Sequence, residues 1–195
     1  MNTFGAALFE TAIGRCGALW SPRGLRSIHL PEADDATTLK RVMRRGAGAV
    51  LAPPQNIADI LAAITALVAG AKNDLIAIPL DVEGVPAFDQ SVYALTRAIP
   101  PGQTRTYGAL AQALGQPYGS GTARAVGQAL GRNPHAIIMP CHRVLAANGK
   151  MGGFTAHGTV NVKRRLLKAE GAFAIETLEL FAATTVPQSP HAEEA

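Results

Sequence analysis

The chain changes its pattern of turn-forming residues near residue 85, and this change constrains the possible fold more than any other feature. Before that point, Gly14 and the tetrapeptide Ser21-Pro22-Arg23-Gly24 separate short segments that favour strands, which predicts a strand meander. Two segments of helical length and spacing follow, separated by a proline pair. We therefore expect a small α+β domain over residues 1–85, with strands at 4–11, 15–20, 27–30 and 76–82 and helices at 39–45 and 57–69.

The second half of the chain carries a helix-turn-helix pattern. Thr106 is placed to cap a helix over residues 107–114, which Gly115 would end. Thr122 is placed to cap a second helix, over residues 123–133. Many helical hairpins share this rhythm, so the pattern alone does not identify a DNA-binding unit.

Other segments complete the expected second domain, residues 86–181. A helix over residues 89–99 opens it, and a short apolar run at residues 136–139 predicts a buried strand. The last stretch, residues 182–195, is rich in proline and ends in acidic residues. We expect this tail to be disordered.

Composition excludes several classes of protein. Hydrophobic residues make up 48% and charged residues 16% of the 195 residues, so the chain can bury a core. The longest apolar run, residues 60–71, is too short to cross a bilayer, and the N-terminus lacks the pattern of a secretory signal. Cys16 and Cys141 are too few for a disulfide framework. We expect a soluble, cytoplasmic monomer with no membrane partner.

The distribution of charge is more informative than the net charge of +4. Residues 86–181 hold ten basic and four acidic side chains, and no Asp or Glu lies between Asp89 and Glu170. Such a stretch suits a surface that meets a polyanion, although a basic protein without a nucleic-acid role remains the alternative. The basic side chains are Arg97, Arg105, Arg124, Arg132, Arg143, Lys150, Lys163, Arg164, Arg165 and Lys168.

The second helix of the pair has an unusual face. Val126, Ala129 and Leu130 form its apolar stripe, and glycine inside a helix costs about 1 kcal/mol relative to alanine. Either the glycines permit close packing on another element, or a bare backbone lets the helix press against DNA with Arg124 projecting into the duplex. The residues opposite the stripe are Ala123, Arg124, Gly127, Gln128 and Gly131.

Reactive residue types concentrate around Cys141. A thiolate is the nucleophilic form of cysteine, and His142 could accept its proton directly or through a water. Glu170 lies on the predicted buried face of a helix over residues 160–170, where a carboxylate requires a partner, so it could orient His142. Considered alone, Cys141 is more simply interpreted as an inert thiol in the core. Considered alone, Glu170 is more simply interpreted as a residue at a helix end before Gly171.

Residues 88–172 resemble the O6-alkylguanine-DNA alkyltransferase family throughout. The resemblance implies a ribonuclease H-like N-terminal domain and a winged helix-turn-helix-like alkyltransferase domain. Similarity over residues 1–85 is limited to the opening strand pattern. The matching motifs are Pro140-Cys141-His142-Arg143-Val144, Ala123-Arg124-Ala125-Val126-Gly127, Gly131-Arg132-Asn133-Pro134 and Glu170-Gly171.

The resemblance implies a chemistry and its residues. Cys141 would accept the alkyl group from O6-alkylguanine, and from O4-alkylthymine, irreversibly and once per molecule. His142 would act through a water as its base, Glu170 would hold His142, and Asn133 would order the turn that joins the helix to the site. No cofactor is expected. No metal is expected either, since Cys16 and His29 are too few for a four-ligand zinc site.

The same resemblance implies how alkylated double-stranded DNA would be held. Arg124 would fill the gap left by the rotated guanine, and Tyr107 would contact the flipped nucleotide and its phosphate. The carbonyls of Cys141 and Val144 would accept from the guanine amino group. The remaining predicted contacts to DNA or base are Ala123, Gly127, Gly131, Arg132, Pro140, Phe154 and Thr155.

The segment around Phe154 departs from the family pattern, which has tyrosine and serine there. Phe154 can still stack on a base but lacks a hydroxyl, and Thr155 keeps an oxygen for the base edge while adding a methyl group. The added methyl group could narrow the pocket. His157 and the length of the segment also differ from the family pattern, so the resemblance does not carry tolerance of bulky alkyl groups over to this chain.

Two other functions compete. A protein that recognises alkylated DNA without transferring the group is the nearest alternative, and the presence of Cys141 argues against it. A cysteine hydrolase is the other, and it leaves the acid-free stretch and the glycine-bearing helix face unexplained.

Overall fold

The computed structural model describes residues 4–46, 48–115, 120–151 and 160–172, and it has the expected α+β character. Phe154, Thr155 and the tail over residues 182–195 lie outside the described residues. The strands are β1 (Phe4–Phe9), β2 (Cys16–Ser21), β3 (Gly24–His29), β4 (Gly48–Val50), β5 (Arg105–Thr106) and β6 (Val144–Leu145), and the α-helices are α1 (Asp35–Met43), α2 (Gln55–Val68), α3 (Ala87–Arg97), α4 (Tyr107–Ala113), α5 (Ser120–Gly131) and α6 (Val160–Ala169).

The predicted strand meander is confirmed. β1, β2 and β3 pair antiparallel in sequence order, with Gly5 opposite Trp20 and Gly17 opposite His29. β4 joins the other side of β1 in parallel, which gives the order β3-β2-β1-β4. A parallel neighbour needs a crossover, and α1 supplies it. The sequence did not predict β4 because three residues are too short to show an alternating pattern.

The strand predicted over residues 76–82 is wrong. This segment makes a single bridge, between Leu25 and Leu80, and is otherwise irregular. The carbonyl of Ile78, inside the segment, and that of Leu75, just before it, accept hydrogen bonds from the guanidinium of Arg97. Pro79 has no N–H to donate to a ladder. The apolar residues of the segment therefore pack without forming a strand.

The helix-turn-helix pair is present, with one correction. Thr106 caps α4 as predicted, because its hydroxyl accepts from Ala109 N at 3.1 Å, and Gly115 follows α4 with a φ of +69°. α5 begins at Ser120, so Thr122 lies inside the helix and the prediction that it is the N-cap is wrong. Threonine is tolerated in a helix interior, and a capping residue type alone does not fix where a helix starts.

The strand predicted over residues 136–139 is also wrong, although the segment is buried as expected. Ile137 has a φ of +73°, a left-handed conformation that ends any extended run. The segment instead bends around β3, where Ile28 N donates to Pro134 O at 2.8 Å and Ala136 N donates to Ile28 O at 3.2 Å. These bonds fix the start of the turn that leads to Cys141.

One buried apolar cluster contains residues from both sides of residue 85. It joins β2 and α2, through residues such as Trp20 and Ile64, to α5 and α6, through Val126 and Leu166. The domain boundary at residue 85 stays a prediction. Within the described ranges, none of the helices combines the length and the apolar character needed to cross a membrane.

Candidate active site

Cys141 opens a one-turn 3-10 helix, Cys141–Arg143, directly after Pro140. Cys141 as a whole residue is 5% exposed, and its backbone N–H donates to Met139 O at 2.7 Å. Burial raises the pKa of the thiol, while a hydrogen bond from the Asn133 side chain, the charge of Lys163 and nearby backbone N–H groups act to lower it. The thiol therefore needs a base before it becomes a nucleophile.

Asn133 organises the turn between α5 and Cys141. Its side chain is fully buried, its oxygen accepts from His135 N at 2.9 Å, and its amide nitrogen donates to Met139 O at 2.9 Å. Asn133 thus hydrogen-bonds to both ends of the turn that the sequence predicted it would order. A direct part for Asn133 in the chemistry stays a prediction.

His142 and Glu170 meet in the interior. His142 Nε2 and Glu170 Oε1 lie 2.8 Å apart, and the two side chains are 1% and 2% exposed. Glu170 follows the last residue of α6, where Gly171 adopts a φ of +69° and closes the helix end. The sequence predicted that these two residues would meet, and the structure brings them together.

Arg143 is a further member of this cluster that sequence reasoning missed. Its guanidinium donates to both oxygens of Glu170, each at 2.8 Å, and to the Ile99 carbonyl. Its side chain is 1% exposed, so it does not belong to a phosphate-facing surface. A signal was available, because Arg143 lies two residues after Cys141 within a buried motif, where an arginine must find a carboxylate.

Arg143, rather than His142, supplies the positive charge that balances the Glu170 carboxylate. Burial acts to raise the pKa of Glu170, but the hydrogen bonds and charges of His142 and Arg143 outweigh it and lower the pKa to about 2. Burial lowers the pKa of His142, and Glu170 only partly opposes this. The resting pair is therefore an ionised Glu170 and a neutral His142.

The hydrogen bond to Glu170 also fixes the tautomer of His142. An ionised carboxylate can only accept, so His142 Nε2 carries the proton and Nδ1 carries the lone pair. No described residue hydrogen-bonds to Nδ1. Nδ1 is thus available to accept a proton from another group.

Lys163 is a second residue that the sequence analysis missed. It is buried in α6 and donates to the carbonyls of Val144 and Met151, each at 2.7 Å. Burial lowers the pKa of its ammonium to about 8, and the nearby Cys141 acts to raise it. The sequence did indicate this burial, because Lys163 lies three residues before Leu166 on the apolar face of α6.

The face of α5 opposite its apolar stripe is open. Arg124 and Gln128 are exposed, and a methyl group added at Gly131 would meet nothing within 4 Å. One added at Gly127 would lie 3.8 Å from the Tyr107 ring, an ordinary contact distance. Close packing among the described residues therefore does not explain the two glycines.

Tyr107 starts α4 and lies beside both Gly127 and Cys141. Burial raises the pKa of its hydroxyl, and the nearby ionisable group of Cys141 adds to the shift. Tyr107 thus connects the open face of α5 to the thiol. Ala123 is half-buried on that face, next to Arg124.

Other predicted DNA contacts already have protein partners. Arg132 makes a two-pronged pair with Asp89, with distances of 2.9 and 2.8 Å, although its side chain remains 55% exposed. Pro140 and Val144 are buried, and the Val144 carbonyl accepts from Lys163. Their proposed contacts to DNA stay predictions.

The acid-free stretch is only partly a basic surface. Arg143 and Lys163 are buried, and Arg97 donates to backbone carbonyls. A count of charges along a sequence cannot separate side chains that face solvent from those that satisfy buried acceptors. The members that are exposed are Arg105, Arg124, Arg132, Lys150, Arg165 and Lys168.

The second cysteine lies in a different environment. Cys16 is fully buried in β2, and burial raises the pKa of its thiol to about 11. Its hydrogen-bond neighbour is Thr11 Oγ1, at 3.7 Å, rather than a base. In the part of the chain that the structure describes, no three His, Cys, Asp or Glu side chains are grouped as metal ligands.

Comparisons with known proteins identify the family. The family profile described as 6-O-methylguanine DNA methyltransferase, DNA binding domain, matches residues 87–172. A methylated-DNA–protein-cysteine methyltransferase of Mycobacterium leprae is 42% identical over 130 residues, which are 66% of this chain and 74% of that relative. The chain belongs to the 6-O-methylguanine DNA methyltransferase family.

Members of the family from another mycobacterium are also similar. A methylated-DNA–protein-cysteine methyltransferase of Mycobacterium tuberculosis is 47% identical over 104 residues, so the match spans 53% of this chain and 59% of that relative. The fold also resembles the crystal structure of Mycobacterium tuberculosis OGT in complex with DNA, with a TM-score of 0.67 and 32% sequence identity. The superposition covers 90% of this chain and 99% of that one.

Proposed function

We propose that this protein repairs O6-alkylguanine in DNA by transferring the alkyl group to Cys141, once per molecule. The observation that carries the proposal is the buried Cys141 thiol followed directly by a neutral His142, whose basic nitrogen is available and whose other nitrogen is held by an ionised Glu170. The names of the M. leprae and M. tuberculosis relatives, methylated-DNA–protein-cysteine methyltransferases, support the same reaction.

The proposed reaction begins with a proton transfer. The Cys141 thiol gives its proton through a water to His142 Nδ1, and Glu170 stabilises the imidazolium that forms. The thiolate then bonds to the alkyl carbon while the bond from that carbon to O6 breaks, and the electron pair leaves with O6. The product is a thioether on Cys141. Its cleavage would need displacement of a poor leaving group at an unactivated carbon, so the protein acts once.

The geometry of α5 supports DNA as the partner. O6 of guanine points into the major groove, and a buried thiol reaches it only if the nucleotide rotates out of the stack. The open face of α5 would lie against the duplex, with Arg124 filling the gap and Tyr107 contacting the rotated nucleotide. The carbonyls of Cys141 and Val144 would accept from the guanine amino group, Val144 through the lone pair that Lys163 leaves available.

The remaining assignments extend this proposal. Phe154 would stack on the base, Thr155 would contact its edge, and O4-alkylthymine would be a second substrate. The sheet order β3-β2-β1-β4 supports a ribonuclease H-like N-terminal unit, and α4 with α5 supports a winged helix-turn-helix-like second unit. We place the protein in the cytoplasm as a monomer that needs no cofactor.

The decisive experiment is intact-mass measurement after mixing with duplex DNA that contains O6-methylguanine. Each molecule should gain one methyl group and then stop, and peptide mapping should place it on Cys141. Cys141→Ser should take up none, because a hydroxyl has a far higher pKa than a thiol. Cys16→Ser is the matched control and should react like the unchanged protein. Repeated turnover, or a methyl group on Cys16, would contradict the proposal.

A further inference from the structure

A basic cavity lies away from Cys141, at the C-terminal end of α5. Its volume is about 700 Å³, and it is bounded by the end of α1, by residues 81–86 and by the last residues of α5. Five guanidinium groups line it: Arg26, Arg41, Arg44, Arg45 and Arg132. The chemistry proposed at Cys141 does not use this cavity, although Gly131 and Arg132 in its lining are predicted contacts to DNA.

Three of the five arginines are neutralised within the protein. Arg26 pairs with Asp81 at 3.2 Å and Arg41 pairs with Glu32 at 2.8 Å. Arg132 pairs with Asp89 at 2.8 Å. Glu83, the remaining carboxylate in the lining, pairs with Arg23, so all three lining carboxylates are already paired with arginines.

The other two arginines, Arg44 and Arg45, form no ion pair with any described residue. Arg45 uses one nitrogen to donate to Arg132 O at 3.0 Å, which connects the end of α1 to the end of α5. Partial desolvation lowers the pKa of Arg45, and the charges of Arg26 and Arg41 lower it further. Positive charge at this wall of the cavity is thus in excess.

We propose that Arg44 and Arg45 bind a phosphate group of the DNA backbone, so that the duplex extends from α5 onto the N-terminal part of the chain. This inference rests on the proposed function, since α5 must first lie against DNA. A guanidinium fork matches the oxygens of a phosphodiester.

The position of the cavity along α5 supports this occupant. Gly131 is the seventh residue after Arg124, and at about 1.5 Å per residue this places the cavity roughly 10 Å along the helix from the proposed site of nucleotide rotation. That distance is comparable to the width of a DNA groove, roughly 6 to 12 Å, so the phosphates that flank the groove come within reach.

The test compares charge-removing variants within α1 and directly after it. Arg44→Gln and Arg45→Gln each remove one cavity cation, while Lys40→Gln removes an exposed cation of α1 that does not line the cavity. Binding to an undamaged duplex is measured by fluorescence anisotropy at several salt concentrations. Each cavity variant should reduce the slope of log affinity against log salt by about 1 and weaken binding about tenfold at 0.1 M salt, whereas Lys40→Gln should keep the slope.

Two further measurements separate this inference from the proposed function. Transfer from the free O6-methylguanine base should be equal in all variants, because the free base does not reach the cavity, and this also shows that the variants are folded. Cavity variants that share the salt slope of Lys40→Gln would overturn the inference while leaving alkyl transfer intact. If the wild-type protein does not bind duplex DNA, the proposed function fails and the inference fails with it.

A free phosphate is the competing occupant, and inorganic pyrophosphate is its probe. If pyrophosphate raises the Tm of the wild-type protein but not of Arg44→Gln, at constant ionic strength, while the salt slopes for DNA stay equal, the cavity holds a free phosphate and the DNA assignment is wrong. Under our inference, saturating pyrophosphate instead lowers the DNA affinity of the wild-type protein to that of the cavity variants.

Discussion

Glu170 receives hydrogen bonds from two buried side chains, and they serve different purposes. The bond from His142 selects the tautomer that presents Nδ1 as a base, whereas the paired bonds from Arg143 neutralise the carboxylate. Because Arg143 already supplies a positive charge, Glu170 remains ionised while His142 is neutral. Protonation of His142 then adds a second cation beside one anion, so the imidazolium is only transiently stable and readily releases its proton.

This division predicts different effects of two substitutions. Glu170→Gln removes the partner of the buried Arg143, so it should lower the free energy of unfolding by roughly 3–5 kcal/mol. His142→Gln keeps the ion pair and should cost clearly less. Both should slow transfer by about 100-fold or more, because the base is lost or misoriented. Urea denaturation and single-turnover transfer rates measure the two quantities.

A pH profile of the transfer rate completes this test. Both variants should need a higher pH to form the thiolate than the unchanged protein does. If His142→Gln transfers at the wild-type rate and with the wild-type pH profile, His142 is not the base. If Glu170→Gln is as stable as His142→Gln, the charge of Glu170 is not what neutralises Arg143.

Among the elements, helices with a clear apolar stripe were predictable and short extended segments were not. The spacing of Val126, Ala129 and Leu130 identified α5, and Thr106 identified the start of α4. Residues 76–82 and 136–139 have the apolar content of strands, but their carbonyls and N–H groups bond to Arg97 and to β3, which lie far away in sequence. Local pattern cannot reveal such long-range competitors for backbone hydrogen bonds.

The same limit applied to the site. The contact between His142 and Glu170, next to Cys141, was predictable because a nucleophile, a base and a buried acid occur in one basic segment. The catalytic roles of the three residues stay predictions. Arg143 and Lys163 were not identified, because a sequence count treats every cation as a surface charge. Their burial follows from the acceptors that surround them, namely Glu170 for Arg143 and two backbone carbonyls for Lys163.

The open face of α5 leads to a prediction for that helix. Arg124→Ala should reduce transfer from duplex DNA at least 10-fold, since stabilising an unstacked nucleotide is worth a few kcal/mol, and should leave transfer from the free base unchanged. Gln128→Ala, which changes an exposed residue one turn later on α5, is the matched control and should have little effect on either substrate. Equal losses on both substrates would show that Arg124 supports folding instead.

At the scale of the whole molecule, the two halves of the chain are joined through His135. Its Nε2 donates to the Leu25 carbonyl in β3 at 3.0 Å, and its neighbours bond to Ile28 of the same strand. The turn that leads to Cys141 is therefore built on the N-terminal sheet. Because His135 is fully buried, it must remain neutral for this junction to persist.

This junction predicts how stability depends on pH. Burial lowers the pKa of His135 from 6.5 to about 4, so the unfolded chain binds its proton at a higher pH than the folded protein does. The contribution of His135 is therefore complete above pH 6.5 and is lost as the pH falls through 4, a change of about 3 kcal/mol. Burial lowers the pKa of His142 as well, so His142 acts in the same direction.

The measurement is the free energy of unfolding by urea between pH 7 and pH 4.5. The wild-type protein should lose stability throughout this range, and His135→Gln should show a slope smaller by up to about 1.4 kcal/mol per pH unit. Glutamine can still donate to the Leu25 carbonyl but does not titrate, so the difference reports the proton alone. Lys40→Gln should follow the wild-type slope. If the curves of His135→Gln and the wild-type protein are parallel, His135 does not couple the junction to pH, and the loss must come from other buried groups such as His142.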